Sequence, residues 1–271
     1  MNHSILTMQL QSLDPVRQQH FFLPNAYSHN DYWNKRPLAD ALENGFLYVE
    51  ADIFLLSGQL IVAHVNPFWK KNRTLEELYF APIARYLATP GCTIDRDHPV
   101  TLMIDIKTGA ARTYKALLPL LEKYRHILTV CENGRISRNA VTVVLTGNKP
   151  TGILSEEVCR LAFIDADLKS IKKRPLNHAI SPMASCRYSR LLKWSGKGPI
   201  PEAERTRLKL YIQMAHFQGK KVRLWASPEN EAVWKELLAC GVDLINTDRL
   251  VALKNFLVAE QRTLYPGKLY V

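Results

Sequence analysis

Much of what this 271-residue chain can be is settled by what it does not contain. No apolar run approaches the ~20 residues of a membrane-spanning helix. Met1 to Leu23 carry neither the apolar stretch nor the cleavage signal of a secretory peptide. The glycine-rich turns G-x-G-x-x-G and G-x-x-x-x-G-K-[ST] are absent, which excludes the common dinucleotide and P-loop sites. There is no internal repeat and no low-complexity segment. The cysteines, Cys92, Cys131, Cys159, Cys186 and Cys240, are widely spaced and odd in number. Without a C-x-x-C pair, a zinc knuckle or thioredoxin-type site is excluded, and free thiols in a reducing compartment are expected. Together these absences predict a cytoplasmic protein.

Long runs of Lys and Arg are also missing, although the net charge is +11. A basic surface attracts anions: nucleic acid, lipid headgroups or phosphorylated substrates. The basic runs present, such as Lys172-Lys173-Arg174 and Lys220-Lys221, are short. No basic motif is interleaved with aromatics, so nucleic acid is not expected as a partner. A small phosphodiester or lipid-derived substrate remains. Peripheral membrane contact stays open, without a strongly amphipathic basic helix to support it. The oligomeric state is not legible.

What is present is enough for a large core: 47% of residues are hydrophobic. Short apolar segments ending in polar residues recur at 25–30, 47–55, 60–64, 100–107, 141–146, 161–165, 179–183, 221–226 and 242–247. Helical spacing fills 37–44, 113–124, 201–218, 229–240 and 248–259. In the second of these, Tyr114, Leu117, Leu118 and Leu121 share a face. Strands alternating with helices predict a parallel sheet covered by helices. About eight such units predict an α/β fold closed as a single TIM-type (β/α)8 barrel, regular or distorted, a size that roughly 250 residues can build. The barrel domain is expected at 25–255, with arms at 1–24 and 256–271. Residues 185–201, rich in Arg, Lys, Ser and Gly, read as a long loop over the barrel mouth, with Tyr188 and Trp194 placed to touch substrate.

Glu50 and Asp52 are the most informative pair. Side chains two apart on a strand point the same way, so these carboxylates project together from an otherwise apolar strand. They repel unless a cation lies between them, and oxygen ligands suit Mg²⁺ or Ca²⁺. A solvated edge strand is the plainer alternative. Asp105 and Lys107 repeat the pattern at another strand end, as a third ligand and a phosphate-neutralising cation, or as a surface salt bridge. His29 ends the first strand, and His64 ends the hairpin after the carboxylate pair. Displacement at phosphorus needs a base on the nucleophile and an acid on the leaving group, and histidine serves both near neutral pH.

The order His, Glu-x-Asp, His, Asp-x-Lys resembles the phospholipase C-like phosphodiesterases. That superfamily includes glycerophosphodiester phosphodiesterases, bacterial phosphatidylinositol-specific phospholipases C and venom-type sphingomyelinases D. Asp105-Ile-Lys-Thr-Gly109 is similar to the sphingomyelinase D form of the third motif. Arg223-Leu-Trp-Ala-Ser227 and Cys240 to Asp248 are similar to the last two glycerophosphodiesterase strands. Tyr27 to Trp33, with Thr146 to Pro150, resembles a poorly characterised bacterial and fungal branch. The resemblance spans residues 25 to 255, and its motifs are specific jointly rather than singly.

The resemblance implies one divalent cation, Mg²⁺ or Ca²⁺, on Glu50, Asp52 and Asp105, with His29 and His64 as the acid–base pair. It implies that Lys107 contacts phosphate and that Trp225 walls the pocket. Asn30 stands where glycerophosphodiesterases usually carry Arg, so it offers phosphate an amide but no charge. Asn148 lies where a barrel loop reaches the site. Asp165, with Asp167, and Asn246, with Asp248, end strands and are candidates to line the pocket. The expected function is metal-dependent cleavage of a glycerophosphodiester or phospholipid-type phosphodiester. Attack by water gives hydrolysis, and attack by a neighbouring hydroxyl gives a cyclic phosphate. His29 is favoured as base and His64 as acid, with the reverse open. The alternative is a non-catalytic barrel binding phospholipid headgroups or other anionic partners.

Overall fold

The computed structural model describes residues 22–65, 73–173 and 176–264. In chain order its strands are β1 (Ala26–Ser28), β2 (Tyr48–Leu56), β3 (Gln59–Val62), β4 (Val100–Ile106), β5 (Val130–Glu132), β6 (Arg135–Ser137), β7 (Val141–Gly147), β8 (Cys159–Arg160), β9 (Phe163–Asp167), β10 (Met183–Arg187), β11 (Lys221–Trp225) and β12 (Leu244–Thr247). Eight of them form a closed parallel ring in the order β1, β2, β4, β7, β9, β10, β11, β12 and back to β1. β3 returns antiparallel along β2 through Ser57 and Gly58, both at positive φ as a tight hairpin requires. β5, β6 and β8 form a small separate sheet.

The α-helices are α1 (Ala39–Glu43), α2 (Ala81–Leu87), α3 (Ala110–Lys123), α4 (Thr151–Glu156), α5 (Glu202–Phe217), α6 (Glu231–Cys240) and α7 (Leu250–Leu264). A right-handed βα crossover lays each long helix on the outside of the ring. Among the described residues no α-helix joins β9 to β10, where a 3-10 turn at Leu168–Ser170 takes its place. The barrel is therefore a distorted one. No described helix is long and apolar enough to cross a membrane.

The strands are apolar on both faces, as buried parallel strands must be. Val49, Ala51 and Ile53 of β2 face outward and join one core with helix residues such as Leu117, Ile212 and Trp234. Tyr27, Met103, Val144, Phe163, Met183 and Leu244 form a second cluster inside the ring. This inner cluster is a packed floor, and the polar ends of the same strands stand above it. Each fully buried Val, Leu, Phe or Met contributes roughly 1.5–3 kcal/mol, so the floor keeps the barrel closed beneath its mouth.

Three expectations need correction. The strand placed at 179–183 lies instead at 183–187, because Pro182 has no N–H to give a ladder and strands start after it. The small residues Ala184, Ser185 and Cys186 read as loop, yet they pair with β11. Tyr188 is buried with its hydroxyl on the Trp194 carbonyl, and the Trp194 indole N–H is spent on Lys197 and Gly198 carbonyls. The polar groups of both side chains are thus engaged within their own loop. The domain edges also move: Leu23, Phe256 and Leu257 are buried in the core, so the body exceeds 25–255 at both ends. The rest of the two arms, 1–21 and 265–271, lies outside the described residues.

Candidate active site

Alternation along β2 turns Glu50 and Asp52 into the barrel. Register sets Asp52 beside Asp105 of β4. One oxygen from each of Glu50, Asp52 and Asp105 lies within 4.8 Å of the others. Glu50 and Asp52 are buried, while Asp105 is half-buried. The Lys107 ammonium donates to Asp105 Oδ2 at 2.8 Å and stands 3.1 Å from Asp52 Oδ1. Burial pushes the Glu50 carboxyl up from its ordinary range, and His29 opposes that rise. Burial also raises Asp52, against the pull of the Lys107 charge. The Lys107 ammonium and the Arg223 guanidinium face this carboxylate cluster, and burial still holds the Glu50 and Asp52 carboxyls up.

Gly147, the last residue of β7, makes room for this cluster. Its φ is +67°, and a Cβ there would meet Asp105 Oδ1 at 2.0 Å and the Ile106 carbonyl at 2.8 Å. Only glycine satisfies both the backbone and the close approach.

The histidines stand on either side of the carboxylates. His29 Nδ1 lies 2.7 Å from Asp248 Oδ1, and its Nε2 is 3.7 Å from Glu50 Oε2. Burial disfavours the imidazolium, but the Asp248 hydrogen bond and the Glu50 charge outweigh it, and the His29 pKa is raised. Asp248 is steadied by Glu229, which accepts the Asp248 backbone N–H at 2.8 Å and the Thr247 hydroxyl at 3.0 Å. His64 Nδ1 lies 3.2 Å from Asp52 Oδ2 and 3.3 Å from the Tyr32 hydroxyl. The exposed Trp33 ring meets His64 edge-on, with centroids 4.9 Å apart.

Asn30 is buried, in the left-handed conformation that asparagine tolerates. Its backbone N–H donates to Glu50, and its side chain accepts from Tyr32 at 2.8 Å and donates to Asp248 at 3.2 Å. The amide thereby links the Asp248 and His29 side of the cluster to Tyr32, which reaches His64. Asp165 and Asn246 are buried below the mouth rather than lining it openly. Both converge on Arg223, whose guanidinium donates to Asn246 at 2.9 Å, stands 3.9 Å from Asp165 and lies 4.4 Å over the Tyr27 ring. Asn148 is exposed at the end of β7, 3.4 Å from the Lys107 carbonyl. Trp225 is 38% exposed at the mouth, enough to present a ring face to a ligand.

Sequence reasoning missed Tyr32, Gly147, Arg223 and Glu229. Inward alternation from Trp225 would have found Arg223, and adjacency to His29 would have raised Tyr32. Asp31, next to that histidine, is wholly buried and structural: it accepts from Ser28, Asn34, Tyr79 and the Leu38 N–H.

Residues 15–165 match the AIM6-like phosphodiesterase domain, and residues 221–250 match the glycerophosphoryl diester phosphodiesterase family. Altered inheritance of mitochondria protein 6 of Eremothecium gossypii is 31% identical, over 86% of this chain and 69% of its own length. The protein of that name from Lachancea thermotolerans is 28% identical, over 84% of this chain and 64% of its own. Among solved structures, a glycerophosphodiester phosphodiesterase from Parabacteroides distasonis has a TM-score of 0.57 at 14% identity, over 87% of this chain and 97% of that one. A calcium-dependent phosphoinositol-specific phospholipase C from Pseudomonas sp has a TM-score of 0.58 at 13% identity, over 87% and 96%. These two likenesses are of fold.

Proposed function

This chain belongs to the AIM6-like phosphodiesterase family, within the phospholipase C-like and glycerophosphodiester phosphodiesterase superfamily, and from that premise we propose that it is a cation-dependent phosphodiesterase using histidine acid–base catalysis. One observation carries the reading: three carboxylate oxygens converge within 4.8 Å between two histidines, each of which has Nδ1 on a carboxylate.

The donor set fits a hard divalent cation, Mg²⁺ or Ca²⁺. All three ligands are oxygens, and two are buried carboxylates that lack full compensation. Glu50, Asp52 and Asp105 would hold the cation, which when bound supplies positive charge to offset what builds on the phosphoryl oxygens. Lys107 adds a second cation at the same place and can pass from the carboxylates to a phosphate oxygen.

In this reading His29 donates from Nδ1 to Asp248, the shorter of its two Nδ1 contacts, which leaves the lone pair on Nε2. That nitrogen takes the proton of the attacking hydroxyl. His64, held at Nδ1 by Asp52 and Tyr32, keeps Nε2 free to protonate the leaving oxygen. A water attacker gives hydrolysis; a hydroxyl on the substrate gives a cyclic phosphate. The substrate class is a small or lipid-derived phosphodiester, with Trp225 packing on its body and Asn148 at the rim.

The direct test is turnover of bis(p-nitrophenyl) phosphate with Mg²⁺ or Ca²⁺, repeated with His29→Ala. The expected loss is at least about 100-fold, the usual worth of a positioned acid or base. Equal rates in the two proteins would remove catalysis from the account.

A further inference from the structure

The inward residues at the tops of the eight barrel strands make a ring, and Arg187 is the member of it whose charge has no counterpart. Met183 of β10 belongs to the inner floor, and Ser185 accepts a hydrogen bond from Arg223 inside the barrel. Residues two apart on a strand face one side, so Arg187, the next in that series, faces the mouth. Its neighbour in register is Trp225, and its guanidinium carbon lies 5.7 Å over that ring.

Three other cations around the mouth are matched. Lys107 lies between Asp52 and Asp105, Arg190 pairs with Asp167 at 2.8 Å, and Arg223 has Asp165 and Asn246. Among the described residues, Arg187 has no hydrogen-bond acceptor and no carboxylate, and it is exposed. Its position is also telling. Going round the closed ring, β10 is four strands from β2 in either direction. Arg187 and Trp225 therefore form the wall facing the wall of Glu50 and Asp52. A phosphodiester bound at the carboxylate cluster would have this wall opposite it, where its second arm can reach across the lumen.

We propose that Arg187 selects phosphodiesters whose second arm carries an anionic group, a carboxylate or a phosphate. A guanidinium held against an indole offers its N–H edge to a planar or tetrahedral oxyanion. The same charge repels a quaternary ammonium, so Trp225 beside it is a poor seat for a cationic arm. This deepens the phosphodiesterase reading and rests on it.

The test uses p-nitrophenyl phosphodiesters with one leaving group and four second arms: ethyl, 2-(trimethylammonio)ethyl, 2-carboxyethyl and 2-phosphoethyl. The wild type is expected to favour at least one anionic arm over ethyl by about tenfold or more in kcat/KM, the scale of a charge-assisted hydrogen bond. Arg187→Gln should abolish that ratio and Arg187→Lys should keep part of it. A preference for one anionic arm alone supports the proposal and identifies the anion. A wild type indifferent to arm charge, or a ratio unchanged in Arg187→Gln, overturns it. If none of the four is cleaved, the phosphodiesterase reading fails by itself. Calorimetry then decides the Arg187 assignment: tighter binding of either anionic-arm compound than of the ethyl compound, lost in Arg187→Gln, upholds it, and equal affinities overturn it.

Discussion

Two groups meet His29 Nδ1: the Asp248 carboxylate at 2.7 Å, which favours a proton on that nitrogen, and the Asn30 amide nitrogen at 3.0 Å, which opposes it. Asp248 accepts from Nδ1, so Nε2 is the basic atom. In Asp248→Asn the amide can donate to Nδ1 instead and drive the proton to Nε2, the wrong tautomer for a base. The expected result is a fall in kcat of about 100-fold or more at neutral pH with little change in KM, since substrate contacts are untouched. A kcat within a few-fold of wild type would reduce Asp248 to an exposed ion pair. Legibility at this scale followed a simple division. The convergence of Glu50, Asp52, Asp105 and Lys107 was readable because charged side chains two apart on an apolar strand share a face. The links of Asn30 to Tyr32 and Asp248 were not readable, because a side chain's type does not reveal which way a left-handed backbone aims it. Arg223 and Tyr32 were hidden because each works through partners distant in sequence, Asn246 and His64 among them.

At the scale of an element, β7 matters for the way it ends. Its ladder with β4 continues to Gly147, which sits beside Ile106 and under Asp105. Gly147→Ala forces either the backbone out of its positive φ or the Asp105 carboxylate out of the cluster. The expected cost is about 1–3 kcal/mol in urea unfolding, the usual size of backbone strain, together with at least a tenfold weaker affinity for Mg²⁺ or Ca²⁺ by calorimetry. Cation affinity equal to wild type would show that Asp105 is not a ligand. Most strands were legible to within two residues because buried parallel strands are apolar runs with sharp polar ends. β10 was not, because Met183 to Arg187 contains mostly small and polar residues, and only its neighbours on both sides make it a strand. The short strands β5, β6 and β8 have too few residues to show any period.

For the whole molecule, the mouth is a site of stored cost. Glu50 and Asp52 are acids whose pKa values burial raises above those of the unfolded chain. In the window between the ordinary carboxylate range and those raised values, the folded protein holds more protons than the unfolded one. These groups therefore make stability fall as pH rises through that window and recover it on acidification. A cation that binds only the folded state offsets the cost, by about 2.7 kcal/mol at a hundred times its Kd. The expected behaviour is a Tm that rises by roughly 5–10 °C with saturating Mg²⁺ or Ca²⁺. Glu50→Gln should melt higher than the wild type without the cation and respond little to it. A wild-type Tm indifferent to both ions would argue against the cluster as their seat. The closure of the ring has one further outcome. The dyad of His29 and Asp248 joins residues 219 positions apart, carried by the first and last strands. The three carboxylates lie on β2 and β4, so they are made well before the strand that brings Asp248 to His29. A chain halted before β12 would carry all three acids and lack the carboxylate that orients His29, so on the proposed reading the aimed histidine is the later of the two features to form.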